Sequence, residues 1–372
     1  MRDHHDNNFT FLRFVAASMV IVAHAHDLLN DPNTKDPIFH AVGRSMGWIG
    51  VAIFFSMSGY LIMKSLDRSS DLGRFARARI LRIFPGLAVC TLITVVALAF
   101  FSTLSLIDYF RNPQTFKFVA GNISLLSMQY KLPGVFQHNP LDTVNGSLWS
   151  LPYEAVCYVI AAALTGCGLL RAGSRRFITF GCGLALIVLY MAIHERLSPV
   201  GFTGRLTVFC RLDVCFLLGM AYAAFEHRFK LRLWLPLALA ALAAFTHTTP
   251  LYDVTLSAAL TAFVLWLAFV PSTILRRISR LPDYSYGIYI YAFPIQQVLL
   301  AEFPSLTPTV HAIVAFGLVL IPASLSWHFI EKPALRFKGS QSKKAENQAV
   351  TVAAERSRAT TPTELSALNV ER

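Results

Sequence analysis

The stretch that decides the fold is FTFLRFVAASMVIVAHAHDLL, residues 9–29. It has about the length an α-helix needs to cross the hydrocarbon layer, roughly 20 residues. Yet it keeps a guanidinium, Arg13, and an imidazole, His24. An ionisable group inside a membrane span is costly, and it faces a bundle interior or a wet cavity rather than lipid. Arg13 and His24 stand eleven positions apart. Eleven residues at 3.6 per turn return to nearly the same helix face, about 16 Å further along. The stretch therefore predicts a first helix with Arg13 near one membrane surface and His24 in the opposite half. Near a helix end, Arg13 also suits simple snorkelling to the headgroups.

The same apolar texture recurs along the chain. Its 372 residues are 55% hydrophobic and 15% charged, and a soluble chain of this length keeps more polar residues for its surface. Ten spans are expected, at about 9–29, 46–66, 81–104, 149–170, 177–194, 205–224, 233–248, 253–272, 283–301 and 309–330. The predicted class is an all-α polytopic membrane bundle. The first block lacks the charged, short-apolar and cleavage-site sequence of a signal peptide, so a retained helix is expected.

The formal charge is +12. Nucleic acid is not needed to explain it, because Lys and Arg collect in cytoplasmic loops. With the N-terminus inside, the inner loops hold 14 Lys and Arg in 38 residues and the outer loops 7 in 82. Both termini are therefore expected in the cytoplasm. The six cysteines fall in or beside apolar blocks without metal-ligand spacing, which suits small buried hydrophobes. Residues 105–148 form a long outer loop, of a length that is usually functional or disordered. Residues 339–372 are polar and mixed in charge, as in a disordered tail, which leaves 1–338 as the membrane domain.

A second buried charge opens the fourth span, NGSLWSLPYE. Trp149 suits the outer interface, and Glu154 lies five residues further in. By that reckoning Glu154 and His24 occupy nearly the same depth, and a carboxylate beside an imidazole fixes its tautomer. A protonated acid pinning two helices would be the plain structural role. In the sixth span Arg211 and Asp213 do not share a helix face, so at least one answers to another helix, Glu154 or an anionic ligand being candidates for Arg211.

VAIFFSMSGYLI carries Ser56, Ser58, Gly59 and Tyr60 among aromatics; small residues there also serve close helix packing. RFARARILRIFP follows, and Arg79 and Arg82 share a face at a helix start. Guanidinium forks suit phosphate, and Pro85 fits a first helical turn. The ninth span, DYSYGIYIYAFPIQQ, is too polar to face lipid alone; Tyr286 and Tyr289 can line a cavity that hydrogen-bonds a polyhydroxylated molecule.

Together FLRFVAASMVIVAHA, VAIFFSMSGYLI, RILRIFP, NGSLWSLPYE, SYGIYIYAFP and FIEKP resemble the acyltransferase 3 family of integral-membrane acyltransferases, in the family's order over residues 9 to 336. The resemblance implies a ten-helix core in the bacterial inner membrane. It implies transfer of acyl groups, commonly acetyl, onto hydroxyls of envelope glycans such as O-antigen or exopolysaccharide. The family's implicated residues match Arg13, His24, Arg79, Arg82, Trp149 and Glu154. Many members have His where this chain has Ala292. Some relatives add an extracytoplasmic hydrolase-like domain, for which this sequence has no room.

On this reading acetyl-CoA, or another acyl-CoA, is the donor, and no cofactor is bound permanently. The partners are membrane lipids and a carbohydrate or lipid-linked glycan acceptor. Arg13, Arg79 and Arg82 hold the donor. His24 is the general base with Glu154 orienting its ring. Ser58, Tyr60, Trp149, Arg211, Tyr286 and Tyr289 serve the acceptor or the oxyanion. A proton-coupled transporter of a glycolipid or small solute, with His24, Glu154 and Asp213 as relay, is the alternative from the same buried charges.

Overall fold

The structure, a computed structural model, describes residues 7–29, 35–68, 71–171, 173–194, 201–228 and 230–337. The tail expected over 339–372 lies outside them. Ten helices match the ten expected spans: α1 Phe9–Asp27, α2 Met46–Arg68, α3 Leu72–Leu98, α4 Leu151–Gly166, α5 Ser174–His194, α6 Phe202–Phe225, α7 Trp234–Phe245, α8 Tyr252–Phe269, α9 Ser285–Glu302 and α10 Pro308–Ser326. Eight of the described helices are long and apolar enough to cross a membrane. The protein is thus an all-α polytopic bundle. Of the ten, α7 is short, at 12 residues. The other departure is α9, where tyrosine and glutamine dilute the apolar residues, and this is the helix most enclosed by its neighbours. A buried helix can be polar wherever its polar groups find partners. On the periphery, Leu92, Ile93 and Val96 of α3, Leu186 and Leu189 of α5 and Ile313 and Ile321 of α10 are exposed, as lipid-facing surfaces require.

Close packing fixes the centre. α1 packs against α2, α9 and α10, and α2 against α6. A Cβ on Gly59 of α2 would meet Phe216 O of α6 at 2.0 Å, and one on Gly219 would meet Ser56 O at 2.2 Å. Here small residues let two backbones touch. α1 and α2 run antiparallel: Gly47 stands against Ala23, and Gly50 against Ala16 and Val20. One end of the bundle therefore holds Arg13, Arg79 and Arg82, and the opposite end holds His24 and the start of α2.

α3 begins nine residues before the expected 81, because Asp71 caps it by accepting from Arg74 N. All four arginines of RFARARILRIFP thus ride on the helix itself. Pro85 lies in its interior rather than in its first turn, which corrects the expectation.

The long loop also departs from the sequence reading. It carries two short helices, Leu106–Arg111 and Pro113–Ser124, and then descends into the bundle without helical structure. Asn139 donates to Gln297 Oε1 at 2.8 Å, and Gln297 donates to Leu141 O at 2.8 Å and Thr143 O at 2.6 Å. Asn145 donates to Ile290 O at 2.9 Å, and Tyr289 donates to Ser147 O at 2.5 Å. From Gln297 back to Tyr289 is eight residues of α9, about 12 Å along its axis. Irregular backbone at membrane depth persists only where protein satisfies it, and α9 supplies those partners. α4 consequently starts deep within the bundle, about four residues' rise from the arginine end of α9, not at the far surface.

Candidate active site

The arginines meet at one cavity. Phe75, Arg79 and Arg82 fall on one face of α3 by their three- and four-residue spacing, while Arg74 and Arg77 point outward and are exposed. Arg82 donates to Asp283 at 3.0 Å, and Arg13 of α1 donates to the same Oδ2 at 2.8 Å. Asp283 sits just before α9, where its other oxygen accepts from the Ser285 N–H at 3.3 Å and from the Ser285 hydroxyl. Burial raises the Asp283 pKa, but the two guanidiniums and the Ser285 hydroxyl outweigh it and hold the carboxyl down at about 2. Glu331, 1% exposed, stands 3.8 Å from Arg82. It ends a π-helical turn, Trp327–Glu331, and accepts from Ser326 at 3.0 Å.

Arg79 differs from its neighbours. Among the described residues no carboxylate lies within ion-pair distance of it. Its guanidinium lies 5.8 Å from the Phe75 ring centre and 5.7 Å from that of Tyr158, and its Nε is buried without a hydrogen-bond partner. Arg13, Arg79 and Arg82 line a cavity of about 100 Å³ with Ser58, Glu154, Tyr158, Tyr286 and Tyr289. So most of the residues expected to hold donor or oxyanion do converge.

Glu154 reaches this cavity from α4. Ser58 donates to its Oε1 at 2.9 Å and Tyr158 at 2.5 Å. Its expected partner was His24, and that pairing does not occur. Ser58 lies eleven residues beyond Gly47 along α2, about 16 Å toward the arginine end, while Gly47 packs on Ala23 beside His24. The expected depth puts Trp149 at a membrane surface, whereas the descending loop carries it inward. His24 instead lies edge-on to Phe293 of α9, with ring centres 4.9 Å apart, and its Nδ1 is 3.9 Å from Asp27 Oδ2. Phe293 also packs on Gly146. Tyr289, one turn earlier on α9, lines the cavity, whereas neither Phe293 nor His24 is among its lining residues.

The remaining expected residues divide. Tyr286 and Tyr289 present rings to the cavity, but their hydroxyls are engaged, Tyr286 donating to Ile83 O at 2.7 Å and Tyr289 to Ser147 O. In this arrangement the rings rather than the hydroxyls of these two tyrosines face the space expected for acceptor or oxyanion. Tyr60 faces away from the cavity and donates to Glu226 at 2.7 Å. Trp149 and Arg211 line a separate pocket toward the far end. Arg211 pairs with Asp253 at 2.6 Å rather than with Glu154, and Asp213 accepts from the Cys157 thiol at 3.5 Å.

Sequence reasoning passed over Asp283, Tyr158 and Glu331. Glu331 had a signal, an acid inside FIEKP one residue past the expected tenth span. Tyr158 is four residues after Glu154, on its face of the helix. Asp283 reads as an ordinary loop acid until its two arginines are seen.

The family model of the acyltransferase domain matches residues 6–328. An O-acetyl transferase of Shigella phage Sf6 is 30% identical over 338 residues, 88% of this chain and 96% of that relative. Nodulation protein 10 of Rhizobium leguminosarum bv. viciae is 26% identical over 358 residues, 90% of this chain and 95% of that protein. No solved structure matches the chain.

Proposed function

We propose, from the premise that this chain belongs to the acyltransferase domain family, that it moves an acyl group, acetyl in the simplest case, from acyl-CoA to a hydroxyl of a cell-envelope carbohydrate. It works in the bacterial inner membrane, with both termini and the arginine end of the bundle facing the cytoplasm. The observation that carries this reading is the convergence of three guanidiniums on one narrow cavity, with no carboxylate paired to Arg79 among the described residues. Guanidinium forks match phosphate oxygens, and the nucleotide end of CoA supplies phosphates on the cytoplasmic side.

The donor's arm runs from the arginines toward His24, about 16 Å along α1. Glu154 is held at Oε1 by Ser58 and Tyr158, and its second oxygen, without a hydrogen-bond partner among the described residues, accepts an amide N–H of that arm. The thioester reaches the imidazole where Phe293 lies edge-on to it. His24 then takes the proton of the acceptor hydroxyl. That oxygen attacks the thioester carbonyl carbon, the tetrahedral adduct collapses, and the C–S bond breaks. The imidazolium returns its proton to the departing thiolate, leaving an ester and CoA. Asp27, rather than Glu154, is the carboxylate that lies beside the imidazole, 3.9 Å from its Nδ1.

Two measurements test the reading. Arg79→Ala lowers acetyl-CoA affinity about tenfold, about 1.4 kcal/mol, by calorimetry on purified protein; unchanged affinity refutes the donor site. His24→Ala abolishes acylation of the envelope polysaccharide, read by mass; full modification in that strain removes His24 from the chemistry.

A further inference from the structure

A second pocket, of about 320 Å³, opens away from the arginine cavity. Its walls are Trp48 of α2, Tyr130 of the descending loop, Trp149 and Tyr153 at the head of α4, and Val208 and Arg211 of α6. The Trp149 and Tyr153 rings meet edge to face, with centres 6.0 Å apart. Aromatic bodies with polar tips suit a ligand that is apolar on one face and hydroxylated at its rim.

Arg211 gives the pocket a charge. It is anchored at 2.6 Å to Asp253, a carboxylate only 1% exposed. Arg44 holds the same carboxylate from the other side, its Nε donating at 2.8 Å. Two guanidiniums on one carboxylate leave one positive charge uncompensated. The terminal nitrogens of Arg211 have no partner among the described residues, and the side chain is 29% exposed. The pocket's position also matters. Trp48 follows Gly47, which packs on Ala23 beside His24. The head of α4 turns Trp149 and Tyr153 to this pocket and Ser150, Leu151 and Glu154 to the arginine cavity. One helical turn is the wall between the two.

From these features we infer that the second pocket binds the acceptor, and that it selects a sugar ring bearing an oxyanion, a carboxylate or a phosphate. This rests on the acyltransferase reading above. The rings take the C–H face of the sugar. Arg211, oriented in advance by Asp253, takes the anionic group as a two-pronged donor. The sugar hydroxyl then lies at the level of His24.

The test is binding without donor, read as quenching of tryptophan fluorescence in the purified full-length protein. The probes are glucose, glucuronate and glucose 1-phosphate. Glucuronate or the phosphate is expected to bind at least tenfold more tightly than glucose, and whichever of the two is tighter identifies the source of the charge. Arg211→Gln keeps the fold, because Asp253 retains Arg44. It is expected to bring the anionic sugar down to the affinity of glucose, while Tyr153→Ala weakens all three. Equal binding of the three sugars by the unaltered protein, or undiminished anionic preference in Arg211→Gln, overturns the inference. Failure is separable from failure of the enzyme reading. Loss of the pocket's role leaves glycan acylation intact in Arg211→Gln, whereas a wrong enzyme reading leaves sugar binding intact with no acyl transfer in any strain.

Discussion

Asp283 and Asp253 stand toward opposite ends of the bundle, and each is gripped by two arginines. Asp283 joins Arg13 to Arg82, and Asp253 joins Arg44 to Arg211. The surroundings differ. Around Asp283, Glu331 adds a second acid for Arg82, and the cavity is narrow. Around Asp253 no second acid pairs with either arginine among the described residues, and the neighbouring pocket is wider and walled by aromatics. On the proposed reading, the cluster at Asp283 ties α1 and α3 to the start of α9 and leaves ligand binding to Arg79. On the same reading, the cluster at Asp253 leaves its own Arg211 for a ligand. The comparison turns on how many carboxylates share each pair of arginines.

Breaking each grip gives the largest effects. Asp283→Asn leaves two guanidiniums partly buried without their carboxylate, and removing one partner of such a pair costs about 3–5 kcal/mol. Thermal unfolding in detergent should show that loss for Asp283→Asn and a loss of similar size for Asp253→Asn. If Asp283→Asn is neutral, Glu331 carries the cluster alone and the two grips are not alike.

Acid sharpens the contrast. The folded-state pKa of Asp283 lies at about 2, below the unfolded carboxylate value of about 3.9. Its contribution is therefore present above the unfolded value and is lost as pH falls from about 4 through 2. That contribution is about 2.6 kcal/mol. Stability should be flat in this term from pH 5 to 8 and fall below pH 4, and the Asp283→Asn protein should lack that part of the fall.

The smallest effect is expected where a cation meets one half-exposed acid. Lys64 pairs with Glu226 at 2.5 Å, with side chains 36% and 30% exposed. Exposed pairs contribute about 0–1 kcal/mol, so Lys64→Ala should shift unfolding by less than any change at either aspartate. A larger loss would mean that exposure is the wrong measure for ranking these clusters.

Much of the fold was legible because a membrane helix announces itself locally. Apolar length, basic loops and the shared face of Arg79 and Arg82 are properties of neighbouring residues, and the helices and the arginine cavity followed. Depth was not legible. The reckoning for Glu154 counted residues from Trp149, but the loop ahead of it is drawn inward by Asn139 and Asn145, whose partners on α9 lie 158 and 145 positions away. No periodicity records such distant bonds. Asp283 escaped for the same reason, since its arginines are 270 and 201 positions away.

Those distances bear on how the chain is made. A ribosome delivers Asn139 and Asn145 to the translocation machinery well before Ile290 and Gln297 have been synthesised. Until then the descending segment has no acceptors in the hydrocarbon and must wait in water or in the insertion channel. The bonds from Asn139 and Asn145 can form only after α9 has been made, and a chain interrupted before α9 would lack them.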